Sequence, residues 1–358
     1  MTEYFLGIDL HKETAFWTLI DNQGQIIDQK TVPVKQEEIE KAVNNLPRPV
    51  SAVLEPTCSW RLYSRILEKQ GVKVALAAPL KVKAIASNRL KNDRVDSEIL
   101  AQLLRMDFLP KSFLPDENLE ELKQLIHFRI LLVRINARFK QILREMIIRK
   151  QDSCPARDIF SQKAQKWLKK SSLFSENQQF EKEIALKIGL LIQNKIKEID
   201  IFLKEKYQND PEVKILTSIP VFSNFTAMVL KAEIGDWQRF SNPGKLCAWA
   251  GLVPSSYDSG PRTRRGKITH QGSHILRWIL YQAALRVKPS WGNLWAFYQR
   301  IAQKGSKKKA RVALARKLLC LSWYLIKKQE LCQTESVFLK TKRSDLVFSL
   351  ANQGCAID

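Results

Sequence analysis

Short apolar runs bounded by turn residues open the chain. Residues 4–10, 14–20 and 25–34 are rich in apolar and β-branched side chains, and the sequence Asp-Asn-Gln-Gly at 21–24 separates the last two. Such runs are typical of β-strands, and short polar connections join antiparallel neighbours. The pattern therefore predicts three antiparallel strands at the start of the chain.

Helical and strand patterns then alternate up to residue 108. Val95, Ile99, Leu103 and Met106 follow helical spacing within the last of these helices. Three antiparallel strands followed by alternating helices and strands are the order expected of an α/β domain of the ribonuclease H type, which we assign to residues 1–112. The later elements are predicted as helices at 37–45, 60–70 and 93–108, and as strands at 50–54 and 72–77.

Two long helices are predicted in the middle of the chain, between residues 113 and 210. Apolar residues spaced by three and four define a coiled-coil seam on the first helix: Leu125, Phe128, Leu132, Ile135, Phe139, Ile142 and Met146. The second helix, at about 181–206, repeats the pattern less regularly with Ile188, Ile192, Ile199 and Phe202. An antiparallel pair within one chain, or a contact between two chains, would bury these stripes.

The last part of the chain is predicted to be mainly helical. Residues 211–330 form a third domain, and 331–358 a C-terminal tail. Its predicted elements are helices at 213–219, 225–234 and 273–287, a polar, glycine-containing loop at 254–272, and basic helices up to 328.

Charge limits the classes of function. The 358 residues carry a net charge of +23, and residues 260–329 contain 17 Lys or Arg with no Asp or Glu. Such an excess favours nucleic acid, because Lys and Arg neutralise phosphates and the interspersed aromatic residues can stack on bases. No run of 18 apolar residues suggests a membrane span, and no signal-peptide pattern is present. The six scattered cysteines indicate reduced thiols in a cytoplasmic protein.

Four carboxylates are placed where a folded chain could gather them. Asp9 and Glu55 each end a predicted strand, and Asp93 and Asp96 lie three apart at the start of a helix. The carboxyl ends of neighbouring strands gather functional residues in α/β sheets, and residues three apart share a helix face. Clustered carboxylates favour a pair of Mg²⁺ ions, which prefer oxygen ligands, with Mn²⁺ as a substitute.

Each carboxylate also has a structural interpretation. Asp93 could cap the helix, Asp96 could interact with the helix dipole, and Glu55 before Pro56 could be a surface residue. Asp9 inside an apolar strand end would be costly without a partner. His11 and Lys12 follow closely enough to touch a substrate phosphate. His270 and His274 have a metal-like spacing, but no third ligand accompanies them, so we do not predict a zinc site there.

The acidic segments resemble the RuvC-like domain of DEDD transposases, the insertion-sequence family that includes Piv-type invertases and bridge-RNA-guided recombinases. The segments are Gly7-Ile8-Asp9-Leu10-His11-Lys12, Leu54-Glu55-Pro56-Thr57 and Lys91-Asn92-Asp93-Arg94-Val95-Asp96. The third domain resembles the second domain of the same family in Ala232-Glu233-Ile234-Gly235-Asp236, Ala250-Gly251-Leu252-Val253-Pro254, Ser259-Gly260 and Gly266-Lys267-Ile268-Thr269.

The resemblance implies a DNA transposase or recombinase with two sets of catalytic residues. Asp9, Glu55, Asp93 and Asp96 would hold Mg²⁺, and Ser259 would attack a DNA phosphodiester and hold the strand end as a phosphoserine. Ser255 and Ser256 are nearby alternatives for the nucleophile. The side chains expected to contact nucleic acid are those of His11, Lys12, Arg262, Arg264, Arg265, Lys267 and Arg277.

The resemblance also implies partners. Donor and target DNA, a structured bridge RNA and further copies of the chain, as a dimer or tetramer, are expected in the cytoplasm of a bacterium or archaeon, near the nucleoid. Two other functions stay open: a junction-resolving nuclease of the RuvC type that uses metal-activated water, and a basic nucleic-acid binder without catalysis. A nuclease would not need Ser259, and a binder would not cleave DNA in Mg²⁺.

Overall fold

The computed structural model of this protein describes residues 3–57, 59–86, 92–170, 173–259 and 262–332. The chain divides into two compact units, Met1–Pro115 and Asp116–Asp358. Among the described helices, none combines the length and the apolar content that a bilayer crossing needs.

A mixed six-stranded sheet forms the centre of the first unit. β1 pairs with β2 antiparallel and with β4 parallel, and the strand order is β3-β2-β1-β4-β5-β6. This order confirms the predicted α/β fold of the ribonuclease H type. The strands are β1 (Tyr4–Leu10), β2 (Thr14–Ile20), β3 (Ile26–Pro33), β4 (Val50–Leu54), β5 (Lys73–Ala77) and β6 (Lys111–Ser112).

Helices cover the sheet on both faces. Alternating residues of the central strands enter two separate cores, since Ala52 and Leu54 pack with α1 and α2, whereas Val53 packs with α3 and α4. Burial on both faces explains why every residue of β4 except Ser51 is apolar. The helices of this unit are α1 (Gln36–Asn44), α2 (Trp60–Lys69), α3 (Pro79–Ile85) and α4 (Asp93–Arg105).

The close approach of α4 to β1 depends on a glycine. A Cβ atom at Gly7 would overlap the carbonyl oxygen of Ser97 and lie 2.7 Å from the backbone nitrogen of Ala101. The buried Ser97 hydroxyl also lies 2.6 Å from the Thr18 hydroxyl of β2. Backbone contact and a buried hydrogen bond therefore hold the helix against the two central strands.

Two helices of 32 residues each form an antiparallel pair in the second unit: α5 (Glu117–Ile148) and α7 (Glu176–Tyr207). The start of α5 packs with the end of α7 through Ile126 and Leu203, and the end of α5 packs with the start of α7 through Leu143 and Ala185. A short helix, α6 (Gln162–Lys170), lies in the connection between them.

The pair buries only part of the predicted seam. Leu122, Ile126 and Ile130 are buried, whereas Phe128 of the seam stays 51% exposed and Ile135 is also exposed. Met146 of the seam is nevertheless buried, and Leu125, Phe139 and Ile142 are partly buried against the two cores. The predicted seam is therefore buried in part within one chain. The spacing signal was real, but α5 carries apolar residues on a broad arc, and packing against α7 uses only one side of it.

The remaining helices share one core with the first turns of α5 and the last turns of α7. Trp237, Leu276, Leu280, Leu314 and Leu318 are among its buried members. The helices are α8 (Pro211–Thr217), α9 (Asn224–Ile234), α10 (Pro243–Trp249), α11 (His274–Leu285), α12 (Gly292–Lys304) and α13 (Lys307–Lys328), with a 3₁₀ turn at Pro289–Trp291.

The predicted loop at 254–272 is instead a β-hairpin. β7 (Pro254–Ser259) and β8 (Arg262–Ile268) pair antiparallel from Pro254↔Ile268 to Ser259↔Arg262. Both strands are polar at nearly every position, so the alternation of apolar and polar residues that marks a strand is missing. Their backbone ladder forms without that signal.

Candidate functional site

Two acidic residues lie at the carboxyl edge of the sheet. Asp9 is the penultimate residue of β1 and is only 7% exposed. Ile8 is paired with Leu54 in the parallel β4, so Asp9 and Glu55 follow at adjacent positions on neighbouring strands. The topology thus brings the first two predicted acids to one edge.

The start of α4 supplies the other two acids. Asn92 is the N-cap, since its side-chain oxygen accepts a hydrogen bond from the Arg94 amide at 3.1 Å. Asp93 is consequently the first helical residue and is not the cap, which leaves its carboxylate available for other contacts. Asp93 and Asp96 both lie in the first turn of the helix.

His11 completes a three-residue cluster with Asp9 and Asp93. Its Nε2 lies 3.4 Å from Asp9 Oδ2 and 3.0 Å from Asp93 Oδ2. One ligand atom from each of the three side chains lies within 4.8 Å of the other two. Within the part of the chain that the structure describes, Glu55 and Asp96 do not join this group.

The donor set fits a divalent cation. Two carboxylates supply oxygen ligands, which suit Mg²⁺ and Mn²⁺, and imidazole is a ligand that transition metals accept more readily than Mg²⁺ does. The cluster lies at the sheet edge, where Asp9 is buried and Asp93 is half-exposed. A metal held there would have one protected side and one open side.

The metal-binding capacity of His11 was not expected from the sequence, where it was assigned to phosphate contact. An acid and a histidine two residues apart at a strand end are the signal that could have indicated it. Lys12, the next residue, is exposed in the turn between β1 and β2.

The serine positions lie on the hairpin of the second unit. Ser259 is the last residue of β7, at the end of the ladder, and is paired with Arg262; Ser256 is paired with Arg265. The Ser255 hydroxyl donates to the Lys267 carbonyl across the hairpin at 3.1 Å. Ser255 therefore has a structural role within the ladder. Gly260 and Pro261, between the two strands in the sequence, lie outside the described residues.

Basic residues accompany the serine positions. Arg262, Arg264 and Arg265 belong to β8, and Lys267 is exposed near its end. Arg277, in the first turns of α11, donates from Nη1 to the carbonyls of Ala250 at 3.0 Å, of Gly272 at 3.2 Å and of Gln271. One nitrogen of Arg277 is thus engaged inside the protein, and its contact with phosphate stays a prediction.

A buried carboxylate connects α5 with α9. Glu233, 6% exposed, accepts a hydrogen bond from His127 Nε2 at 2.6 Å and lies 3.8 Å from Lys123 Nζ. Burial would raise the pKa of Glu233, but the hydrogen bonds from His127 and Ser273 and the charge of Lys123 lower the pKa below its ordinary value. In the sequence, Glu233 stood out only as part of the segment 232–236 that resembles the transposase family.

Two transposase family models match the chain in order. A DEDD transposase model of the IS110 group matches residues 6–149, and the model described as the IS116/IS110/IS902 transposase family matches residues 213–299. The first match contains the cluster of Asp9, His11 and Asp93. The second contains the hairpin with Ser259.

Several bacterial proteins are similar to the chain over most of its length. The transposase for insertion sequence element IS1111A of Coxiella burnetii is 24% identical over 91% of this chain and 90% of its own length. The transposase for insertion sequence element IS1328 of Yersinia enterocolitica is 22% identical over 89% of this chain and 95% of its own. A Sinorhizobium fredii protein assigned as a transposase is 24% identical over 79% of this chain and 71% of its own.

Among solved structures, Thermus thermophilus RuvC in complex with a Holliday junction substrate is similar to part of the chain. The match has a TM-score of 0.24 and 10% identity, and covers 31% of this chain and 99% of RuvC. A second Thermus thermophilus RuvC structure matches with a TM-score of 0.22 and 12% identity, over 30% of this chain and 99% of that one.

Proposed function

Because this chain belongs to the IS116/IS110/IS902 family of insertion-sequence transposases, we propose that it cuts and rejoins DNA strands through a phosphoserine intermediate. Asp9, Glu55, Asp93 and Asp96 form its metal-binding site, and Ser259 is the nucleophile. The observation that carries the proposal is the meeting of Asp9, His11 and Asp93 at the sheet edge. A basic chain with converging metal ligands fits a phosphodiester substrate.

Asp9 and Asp93 are the residues that would hold the cation first, since their oxygens already face one nitrogen of His11. Glu55 follows the end of β4 beside β1, and Asp96 lies in the same first turn of α4 as Asp93, so these two acids would complete the site. When bound, Mg²⁺ or Mn²⁺ supplies electrostatic stabilisation of the negative charge that develops on the phosphoryl oxygens. The buried position of Asp9 keeps that carboxylate in a fixed orientation.

The Ser259 hydroxyl would carry out the covalent step. Its oxygen forms a bond to phosphorus, the bond between phosphorus and one deoxyribose oxygen breaks, and the serine proton is transferred to that released oxygen, which leaves as a hydroxyl group. The phosphoserine ester conserves the bond energy, so a second DNA hydroxyl can displace the serine without another energy source. The end position of Ser259 on the hairpin ladder supports this role, whereas Ser255 is engaged in the ladder.

The basic helices of the second unit would bind DNA. α13 begins with Lys307, Lys308 and Lys309, and all three are exposed. Arg300 and Lys317 both lie over the ring of Phe297. These residues belong to a stretch, 260–329, that contains 17 Lys or Arg and no Asp or Glu, and such an excess of positive charge fits the phosphate backbone of DNA.

Further copies of the chain and a bridge RNA complete the proposed assembly. An apolar groove of about 510 Å³ lies between α5 and α7, with Phe128 and Leu191 in its lining. Leu191 is 57% exposed. Exposed apolar surface of this kind is typical of protein contacts, so a second copy would cover it in a homo-oligomer that acts in the cytoplasm. The guide RNA rests on family membership alone.

The test is covalent trapping. Purified protein is incubated in Mg²⁺ with a labelled duplex of the element's joined ends and the transcript of its flanking non-coding DNA, then denatured. Wild type and Ser255→Ala should give a denaturation-resistant protein–DNA adduct, and Ser259→Ala and Asp9→Asn should not. Cleavage by Ser259→Ala without any adduct would replace the proposal with hydrolysis by metal-activated water.

A further inference from the structure

Arg277 joins the two chain segments at the base of the serine hairpin. Its Nη1 donates to the carbonyl of Ala250, which precedes β7, and to the carbonyls of Gln271 and Gly272, which follow β8. Ala250 is also the C-cap of α10, where carbonyls lack partners within the helix. One charged group thus satisfies carbonyls from both sides of the hairpin.

The two segments are in direct backbone contact at this point. Gly251 and Gly272 have φ values of +70° and +66°, which favour glycine. A Cβ atom at Gly251 would overlap the backbone of Gln271, and a Cβ at Gly272 would overlap the carbonyl of Trp249. We call the segments 249–251 and 270–272 the hairpin neck.

Above the neck, hydrogen bonds and strand pairing connect the base of the hairpin to its far end, across one register shift between Pro254 and Ser256. Thr269 donates its amide to the Val253 carbonyl at 3.0 Å, the Ser255 hydroxyl donates to Lys267 at 3.1 Å, and pairing reaches Ser259. At ~3.3 Å per residue, the six residues of β7 extend about 20 Å, so a tilt of about 10° at the neck would move its far end by about 3.5 Å.

We propose that Arg277 is a positioning residue that fixes the hairpin neck and thereby the location of Ser259, and that it does not bind DNA phosphate. The inference rests on the proposed role of Ser259 as nucleophile. A displacement of only about 1 Å in a reacting group can lower the reaction rate by about 100-fold. A small loss of order at the neck should therefore slow the attack of Ser259 strongly. Burial lowers the pKa of the Arg277 guanidinium, and its carbonyl partners offset the cost of that burial.

The experiment compares Arg277→Gln and Arg277→Lys with Arg286→Gln, an exposed arginine at the end of the same helix. Three quantities are measured on the full chain: the thermal midpoint, the salt dependence of affinity for the joined-end duplex, and the rate of adduct formation at saturating duplex. Ser259→Ala is run in parallel.

For Arg277→Gln we expect adduct formation to fall by about 100-fold at saturating duplex, with the slope of log affinity against log salt unchanged. Arg277→Lys keeps a donor and should recover part of the rate. Arg286→Gln should keep the wild-type rate. A phosphate contact would instead lower the salt slope by about 0.9.

A salt slope lowered by that amount, or a rate within about threefold of wild type for both Arg277 variants, overturns the inference. If Arg277→Gln does not fold, the comparison of Arg277→Lys with wild type decides. Adduct formation by Ser259→Ala would overturn the proposed nucleophile and the inference with it. Loss of the adduct in Ser259→Ala, with normal rates in both Arg277 variants, overturns the positioning role alone.

Discussion

Gly7 in β1 lies directly against the carbonyl oxygen of Ser97 in α4, and no side chain fits between them. This contact allows the helix to approach the strand at backbone distance. Because α4 begins with Asp93 and β1 ends beside Asp9, the approach brings the two carboxylates to the same His11 nitrogen. A residue without a side chain is therefore part of the reason that the metal cluster exists.

Gly7→Ala should disturb the cluster from a distance. The added methyl group would push α4 away from β1, and overpacking of this kind costs about 1–3 kcal/mol of unfolding free energy. We expect a lower denaturation midpoint and weaker Mn²⁺ binding in the folded protein. Gly305→Ala is the control, because a Cβ there meets its nearest atoms at 3.5 and 3.8 Å. Unchanged Mn²⁺ affinity in Gly7→Ala would contradict the link between helix approach and cluster.

His11→Ala should weaken metal binding. If the imidazole is a ligand, or orients the two carboxylates, its removal should lower Mn²⁺ affinity by about 10–100-fold, as loss of groups that support metal ligands does elsewhere. The measurement is a Mn²⁺ titration followed by electron paramagnetic resonance, without DNA. Lys12→Ala, the exposed neighbour, should bind as wild type. Equal Mn²⁺ affinity in His11→Ala and wild type would contradict a role of His11 in metal binding. Its expected contact with substrate phosphate would then be the remaining role.

Glu233 should make the stability of the second unit depend on pH. Its pKa is lowered in the folded state from an ordinary value of 4.5, so its contribution is fully present above that pH and is lost as the pH falls through the lower folded pKa. Glu233→Gln should remove this dependence and destabilise the unit by about 1–3 kcal/mol, since His127 and Lys123 lose the buried negative charge that they face. Chemical denaturation at several pH values measures both effects.

The matched control for Glu233 is an exposed ion pair. Glu198 lies 2.9 Å from Lys195 on the surface of α7, and exposed pairs contribute about 0–1 kcal/mol. Glu198→Gln should therefore change the stability little at any of these pH values. A wild-type pH profile in Glu233→Gln would show that other groups determine the acid sensitivity.

The groove between α5 and α7 should control the oligomeric state. A charge in the lining would be buried by a second copy, at high cost, so Phe128→Glu with Leu191→Glu should shift the chain toward monomer. Sedimentation velocity at matched concentrations measures the shift. Ile27→Glu, on the exposed part of β3, is the control because Ile27 is exposed to a similar extent, 53%. A wild-type protein that sediments as a monomer would contradict the proposal that a second copy covers the groove.

The sequence predicted the first unit well because its strands follow strong local rules. All five longer strands of the sheet are found within one or two residues of their predicted bounds, since β-branched apolar runs and turn residues mark them. The edge strand at Lys111–Ser112 has two residues and no such pattern. The location of the acids followed from the same topology, because strand ends and a helix start are readable from the chain.

Contacts between distant residues were harder to anticipate. Asn92, and not Asp93, caps α4, and both residue types are good caps, so only the backbone geometry decides between them. The polar hairpin at 254–268 has no apolar alternation to identify it. The engagement of Arg277 with three carbonyls depends on two glycine conformations more than twenty positions apart, which a single sequence does not reveal.

The hydrogen bond between the hydroxyls of Thr18 and Ser97 restricts the rotation of α4 about its own axis. A helix that merely touches a strand can still turn about its own axis, whereas a buried hydrogen bond of 2.6 Å fixes the azimuth of α4. Successive helical residues are about 100° apart, so Asp93 and Asp96 point about 60° away from each other. The pair of hydroxyls thus fixes the rotation of α4 at which the Asp93 carboxylate reaches His11.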